Sequence, residues 1–131
     1  MTVKLAFAAA LAMVLAAGAP AIAHHSFGAE FDGEKPFEYR GVVTKIEWLN
    51  PHVYFYMDVE GADEVVNWAM EMGSPNGLMR RGWTRNSLRI GDVVEVEGSL
   101  ARDGSAKGNA RSVILSDGRQ LFAGSSQEET P

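Results

Sequence analysis

Apolar and polar residues alternate along most of the chain after residue 40, and this period of two is typical of half-buried β-strands. The stretch 53–59 is the clearest case, because Val53, Phe55 and Met57 alternate with side chains that carry polar groups. The pattern predicts strands over 40–49, 53–59, 64–72, 93–100 and 110–115, and a short strand over 120–122. The residues predicted to be buried are Val42, Ile46, Phe55, Met57, Val66, Trp68, Val94, Val96 and Ile114.

Turn and helix signals divide these strands. Asn50-Pro51 ends the first strand, because proline lacks the N–H group that a central strand needs. Ser74-Pro75 predicts one short helix over 75–82, with the serine as N-cap and the proline in the first turn. Three strands, a helix and two or three further strands predict an all-β fold, a small antiparallel OB-fold-like barrel. An SH3-like barrel and a meander sheet are the alternatives.

Residues 1–23 have the pattern of a secretory signal peptide. Lys4 supplies the positive charge of the n-region, and the apolar run over 5–17 has the length of a signal-peptide h-region. Small residues at positions 21 and 23 provide a small-x-small cleavage site. The apolar run is short for a bilayer span. We therefore expect a periplasmic or secreted protein that is cleaved after Ala23 and then keeps no stable membrane span. Cleavage after Ala21 is the alternative.

The rest of the chain divides into three parts. The polar segment 24–36 predicts an N-terminal arm, and 37–122 carries the barrel domain. The small polar residues of 123–131 predict a disordered tail. A chain of 131 residues has room for this one domain and little more.

Charge and composition exclude several function classes. The net charge of −5 becomes −6 without Lys4, and a phosphate-binding surface needs clustered Lys and Arg, so we expect no nucleic-acid partner. The absence of cysteine excludes disulfides, thiol catalysis and Cys-ligated metals. The sequence has no nucleophile-elbow serine and no phosphate-binding glycine loop, and it therefore predicts no enzyme.

The chain contains three distinctive segments: HHSF at 24–27, EWLNPH at 47–52 and MGSPNGLMRRGWT at 72–84. Together they resemble a family of small exported bacterial proteins that is catalogued as a domain of unknown function. The resemblance covers residues 24 to about 122 and implies export and a single small β-domain. It implies no activity, so candidate sites must be argued from the chemistry of the residues.

The three histidines carry the most specific candidate chemistry. His24 and His25 would begin the mature chain, and a terminal histidine offers both its amine and its imidazole to one metal ion. His52, at the corner between two predicted strands, would supply a further imidazole. Imidazole nitrogens suit Cu(II), which has the highest affinity of the divalent series. We therefore predict copper as the cofactor of an exported binding protein, with His24, His25 and His52 as metal ligands.

Two alternatives remain open for these histidines. Cleavage after Ala21 would place His24 third in the mature chain, and a terminal amine with a histidine in third position also binds Cu(II) or Ni(II). The simpler interpretation has polar, flexible terminal histidines, and a His52 ring that bonds a backbone carbonyl at a turn. An oxidising copper enzyme is a further alternative, but the sequence offers no recognisable substrate surface.

A second candidate site is an arginine cluster in this otherwise acidic chain. Guanidinium groups bind carboxylates and phosphates, and they stack on tryptophan. The alternative function is therefore a module that binds a periplasmic protein or a small anionic ligand. The simpler interpretation is a solvated face paired with nearby carboxylates such as those of Glu71, Asp92 and Glu95. The sequence predicts no oligomeric state. The candidate ligand residues are Arg80, Arg81, Trp83 and Arg85.

Overall fold

The structure is a computed structural model, and it describes residues 27–124. The helices are α1 (Phe27–Glu30) and α2 (Pro75–Arg80). The strands are β1 (Phe31–Glu47), β2 (Tyr54–Glu60), β3 (Val65–Glu71), β4 (Val93–Ala101), β5 (Lys107–Ile114) and β6 (Gln120–Phe122). The predicted signal peptide, His24, His25 and the part of the predicted tail beyond residue 124 lie outside the described residues.

The six strands form one sheet that closes on itself. β1 pairs antiparallel with both β2 and β4, β2 pairs with β3, and β4 pairs with β5. A short parallel pairing between β3 and β5, from Ala69↔Lys107 to Glu71↔Asn109, completes the ring. The predicted small antiparallel barrel is therefore confirmed. The predicted helix is confirmed as well, since α2 lies between β3 and β4.

The first strand is longer than the alternation predicts. Residues 31–36, which the sequence analysis assigns to an arm, are the first part of β1, and Phe31 and Asp32 pair with the end of β4. The register shifts between Asp32 and Pro36. Gly33 and Pro36 are poor strand formers, and the segment between them is exposed, so no alternating pattern marks it.

A β-bulge makes one burial prediction wrong. Val43 pairs with Met57 and Lys45 with Tyr56, which leaves Thr44 as an extra residue. An extra residue exchanges the two faces of a strand. Before the bulge, Val43 therefore faces the core, and Val42, predicted to be buried, is 42% exposed. After the bulge, Ile46 packs against the core as predicted.

Most of the other predicted core residues lie in or against one cluster inside the barrel. Phe55, Met57, Val94 and Val96 are fully buried. Trp68 is half-buried and packs against this cluster. Val66 and Ile114, predicted to be buried, are only half-buried. Phe37 reaches over Gly108, where a Cβ atom would come within 2.6 Å of the ring, so a glycine is needed at this close approach.

The helix α2 begins as its sequence predicts. Ser74 is the N-cap, and its Oγ accepts a hydrogen bond from the N–H of Gly77 at 3.2 Å. Pro75 occupies the first turn and Leu78 is fully buried. The helix ends at Arg80, two residues earlier than predicted, and Gly82 follows with a φ of +96°.

No helix within residues 27–124 has the length and hydropathy that crossing a bilayer requires.

Candidate functional site

His52 lies in the connection between β1 and β2, directly after the cis Asn50–Pro51 peptide bond. Backbone hydrogen bonds hold this corner against the end of β3. The N–H of Val53 donates to Gly73 O at 3.0 Å, and the N–H of Met72 donates to Val53 O at 2.8 Å. His52 is therefore fixed at the point where β2 begins and β3 ends.

The His52 ring makes one hydrogen bond that defines its tautomer. Its Nδ1 lies 3.0 Å from the carbonyl oxygen of Met72. A carbonyl oxygen only accepts, so Nδ1 carries the proton and Nε2 keeps a free lone pair in the neutral ring. The bond is the one that the simpler interpretation of His52 expects. It also gives the tautomer in which metal-binding histidines ligate through Nε2.

Glu71 is a buried carboxylate beside His52. The residue is 7% exposed, and its Oε1 lies 3.8 Å from His52 Nδ1. Its other oxygen accepts a hydrogen bond from the Tyr54 hydroxyl and lies 3.7 Å from Lys107 Nζ. The Tyr54 hydrogen bond and the nearby Lys107 cation, both at Oε2, offset part of the penalty of burying a charge.

Strand register explains why these side chains meet. Glu71 is the partner of Tyr54 in the β2–β3 ladder and of Asn109 in the β3–β5 pairing. Lys107 lies two residues before Asn109 and therefore shares its face of β5. Within the described chain, the buried Oδ1 of Asn109 has no hydrogen-bond partner, which leaves an unused acceptor on this face.

Lys107 connects this face to the N-terminal helix. Its ammonium group hydrogen-bonds Glu30 of α1 and lies 5.5 Å and 5.4 Å from the ring centroids of Phe31 and Tyr54. We use the name Glu71 cluster for Glu30, His52, Tyr54, Glu71 and Lys107. It joins α1, the β1–β2 corner, β2, β3 and β5.

The cluster shifts the pKa values of two of its members. Burial raises the pKa of Tyr54, and the neighbouring Glu71 carboxylate raises it further, while Lys107 opposes the change. Burial lowers the pKa of Lys107, but hydrogen bonds and charge interactions with Glu30 and Tyr54 outweigh burial and raise it overall. At neutral pH, Tyr54 is therefore a neutral donor and Lys107 is a cation.

The predicted arginine site divides between the interior and the surface. Trp83 is 2% exposed, and its Nε1 donates to Phe122 O at 2.8 Å. Arg81 donates to Gly124 O at 2.7 Å, and its guanidinium carbon lies 4.6 Å from the Phe122 ring centroid. Arg80 and Arg85 are exposed. The carboxylate of Glu71, expected to pair with this cluster, contacts Lys107 instead.

Sequence reasoning found His52 but missed the rest of the Glu71 cluster. Lys107 and Glu71 are 36 positions apart, and only the parallel β3–β5 pairing brings them together. The available signal was weak: a glutamate at the end of a largely apolar strand whose neighbours are Met70 and Met72. No three His, Asp or Glu side chains between residues 27 and 124 are grouped to hold a metal ion.

Comparison with known proteins places the chain in a family without giving an activity. A search of curated proteins finds no significant match. The model of one protein family matches residues 10–110, which include α1, the β1–β2 corner, β3, α2 and the start of β5. The chain therefore belongs to the family of unknown function DUF6152.

Proposed function

We propose that the protein is exported to the periplasm or beyond and binds copper at its mature N-terminus together with His52. Cleavage after Ala23 would expose the amine and imidazole of His24, with His25 next to it. One observation carries the proposal: the Met72 carbonyl holds the proton of His52 on Nδ1 and leaves Nε2 free to ligate.

The reach of the chain supports convergence of these groups. His24 precedes Phe27 by three residues, which span at most about 10 Å when extended. Phe27 begins α1, and α1 contacts Lys107 through Glu30. From Lys107, Glu71 is 3.7 Å away, and Glu71 lies 3.8 Å from the His52 ring. The start of the described chain and His52 therefore border the same cluster.

The surroundings of His52 suit a bound cation. The carboxylates of Glu30 and Glu71 outnumber the single ammonium of Lys107, so these three groups sum to a net charge of −1. A carboxylate near the protonated ring nitrogen of a ligating histidine also increases the basicity of the other nitrogen. Glu71 Oε1 is in such a position at 3.8 Å from Nδ1.

The barrel adds support by analogy. The strand order β1-β2-β3-β5-β4 around the ring, with a helix between β3 and β4, supports the OB-fold interpretation. OB-folds bind ligands beside the β1–β2 and β4–β5 connections. His52 lies in the first connection and Lys107 follows the second. This is fold-level analogy and adds no residue role.

A Cu(II) titration of the mature protein tests the proposal. Mass spectrometry first establishes that the exported chain begins at His24. Electron paramagnetic resonance should then show nitrogen ligation, and His52→Ala should weaken binding by about tenfold or more and remove one coordinated nitrogen. The mature chain with an acetylated N-terminus is the matched control, because it keeps all three imidazoles and removes the terminal amine as a ligand. Unchanged affinity and spectrum in His52→Ala would overturn the proposal.

A second candidate function is a module that binds a protein or a small anion through Arg80 and Arg85. The supporting observation is charge segregation. The segment from Gly73 to Ile90 contains four arginines and no Asp or Glu, although the chain is acidic overall. Titration with inorganic phosphate, followed by amide shifts, should perturb residues 80–89. Arg80→Ala with Arg85→Ala should abolish the shifts, and shifts that persist in this variant would exclude the site.

A further inference from the structure

The arginine corner, residues 73–90, covers the end of the barrel at α2. Three of its apolar side chains are buried in the core cluster: Leu78, Trp83 and Leu88. The indole Nε1 of Trp83 donates to Phe122 O at 2.8 Å, which joins the corner to β6. Directly after the corner, the N–H of Gly91 donates to Val43 O of β1 at 2.8 Å. The corner is therefore a preformed surface held between two strands of the barrel.

The side chains between and beside these buried residues are exposed. Met79 is 57% exposed and Ile90 is 72% exposed. Arg80, Arg85 and Arg89 are exposed as well, and within the described chain their guanidinium groups have no ion-pair partner. The outward side of the corner therefore combines three exposed cations with two exposed apolar side chains.

The charge of the corner is opposite to that of the rest of the protein. The corner contains four arginines and no Asp or Glu, which gives +4 in a chain of net charge −5. The first carboxylate after it, that of Asp92, accepts a hydrogen bond from the backbone N–H of Arg89 at 3.0 Å. An anionic surface would therefore attract the corner and repel the acidic remainder, which orients the molecule.

A phospholipid surface fits this arrangement better than one small anion or a protein. The exposed arginines are distributed over positions 80–89, so they suit an array of phosphate groups. Apolar side chains among basic ones are typical of surfaces that lie at the headgroup boundary of a bilayer. A protein interface instead has an apolar centre with a polar rim. Met79 and Ile90 are 11 positions apart in the chain, with arginines between them.

We propose that the arginine corner docks the protein on an anionic phospholipid surface. Arg80, Arg85 and Arg89 contact the phosphate groups, and Met79 and Ile90 enter the boundary between headgroups and acyl chains. The docking is peripheral, and the barrel stays outside the hydrocarbon. This inference is independent of the copper site. It rests on the arginines of the second candidate function and identifies their anion as the phosphate of a lipid headgroup.

Cosedimentation of the metal-free mature protein with vesicles tests the docking. Vesicles of equal parts phosphatidylglycerol and phosphatidylcholine should bind the protein, and vesicles of phosphatidylcholine alone should not. Binding should weaken as the salt concentration rises, because salt screens exposed charges. Absence of binding to the anionic vesicles at low salt would overturn the proposal.

A pair of double variants separates the corner from the net charge. Arg80→Gln with Arg85→Gln should weaken vesicle binding by about tenfold or more, because each arginine near an anionic surface adds to the attraction. The matched control is Arg40→Gln with Arg111→Gln, which removes the same charge from exposed residues of β1 and β5. Urea unfolding checks that both variants are folded. Equal losses of binding in the two variants would overturn the proposal.

A fluorescent label tests which side of the barrel meets the lipid. The chain contains no cysteine, so Ile90→Cys and Val65→Cys each provide a single labelling position. Val65 is 59% exposed and begins β3, whereas α2 follows the end of β3. On anionic vesicles, an environment-sensitive label at position 90 should shift its emission to the blue, and one at position 65 should not. Equal shifts at both positions would contradict docking through the corner.

Two soluble probes separate this inference from its alternatives. If inorganic phosphate leaves residues 80–89 unperturbed, the small-anion function fails, and vesicle binding alone decides the phospholipid proposal. If polyglutamate binds the corner and the anionic vesicles do not, the corner fits an acidic protein and the phospholipid proposal is wrong. Failure of the copper titration changes neither result, because the vesicle experiments use metal-free protein.

Discussion

The Glu71 cluster and the arginine corner, residues 73–90, use charged residues in opposite ways. In the Glu71 cluster, acidic, basic and phenolic side chains from α1, the β1–β2 corner, β2, β3 and β5 meet around one buried carboxylate. In the arginine corner, charges of one sign lie close in sequence, and Trp83 and Arg81 donate to backbone carbonyls at and after β6. The first arrangement brings the candidate site residues together, and the second mainly attaches α2 and the following turn to the barrel.

The largest expected effect comes from Trp83, which tests whether the arginine corner is held by packing. Trp83→Ala should lower the free energy of unfolding by about 3–5 kcal/mol, because it empties a buried site. Trp83→Phe keeps most of the volume and removes the donor to Phe122 O, so it should lose about 1–3 kcal/mol. Urea unfolding measures both. A loss below about 1 kcal/mol for Trp83→Ala would show that the corner is held by its charges instead.

Glu71→Ala tests whether the buried carboxylate stabilises its cluster. The change leaves the Tyr54 hydroxyl and the Lys107 ammonium without their shared partner, which should lower the free energy of unfolding by about 1–3 kcal/mol. Glu97→Ala is the matched control, since its pair with Arg111 is about half exposed and should contribute less than about 1 kcal/mol. Equal losses in thermal unfolding would remove the distinction between the two carboxylates.

Alkaline pH should weaken the Glu71 cluster. The raised pKa values of Tyr54 and Lys107 mean that the folded state retains both protons at a pH where the unfolded chain has released them. Stability from these groups is therefore complete below about pH 10 and decreases as the pH rises further. Tyr54→Phe should flatten this decrease in urea unfolding between pH 9 and 11. The control Tyr56→Phe, outside the contact with Glu71, should leave the slope unchanged.

The smallest expected effect is in the exposed part of the arginine corner. Arg80→Ala and Arg85→Ala together should change the free energy of unfolding by less than about 0.5 kcal/mol, because surface substitutions away from buried contacts are nearly neutral. Calorimetric melting of the double variant measures the change. A substantially larger loss would mean that these arginines stabilise the fold.

Local patterns predict the fold well where each strand keeps a single alternation. Phe55 and Met57 of β2 and Val94 of β4 are buried as predicted, since no bulge interrupts the alternation at these positions. The burial prediction for Val42 is wrong because Thr44 is an extra residue in β1. A β-bulge of this kind has no clear signature in the amino-acid composition. The early part of β1 is missed because its residues are polar and exposed.

The limits of prediction from sequence are clearer at the candidate site, because its residues are far apart along the chain. His52 could be singled out because it is a lone histidine at a predicted corner. Its neighbour Glu71 and the bridging Lys107 could not, since their contact depends on a parallel strand pairing that alternation does not specify. The arginines appear as one cluster in the sequence, yet the burial of Trp83 separates their roles.

The most direct test of the account is the number of imidazole nitrogens that bind Cu(II) in the mature protein. Electron–nuclear double resonance on protein with histidine ¹⁵N-labelled only in its imidazole ring counts these nitrogens in the wild type and in His52→Ala. We expect the variant to lose one coordinated imidazole and to keep ligation by the terminal amine. An identical set of coordinated nitrogens in both proteins would show that His52 and the N-terminus do not converge on one metal ion, and would contradict it.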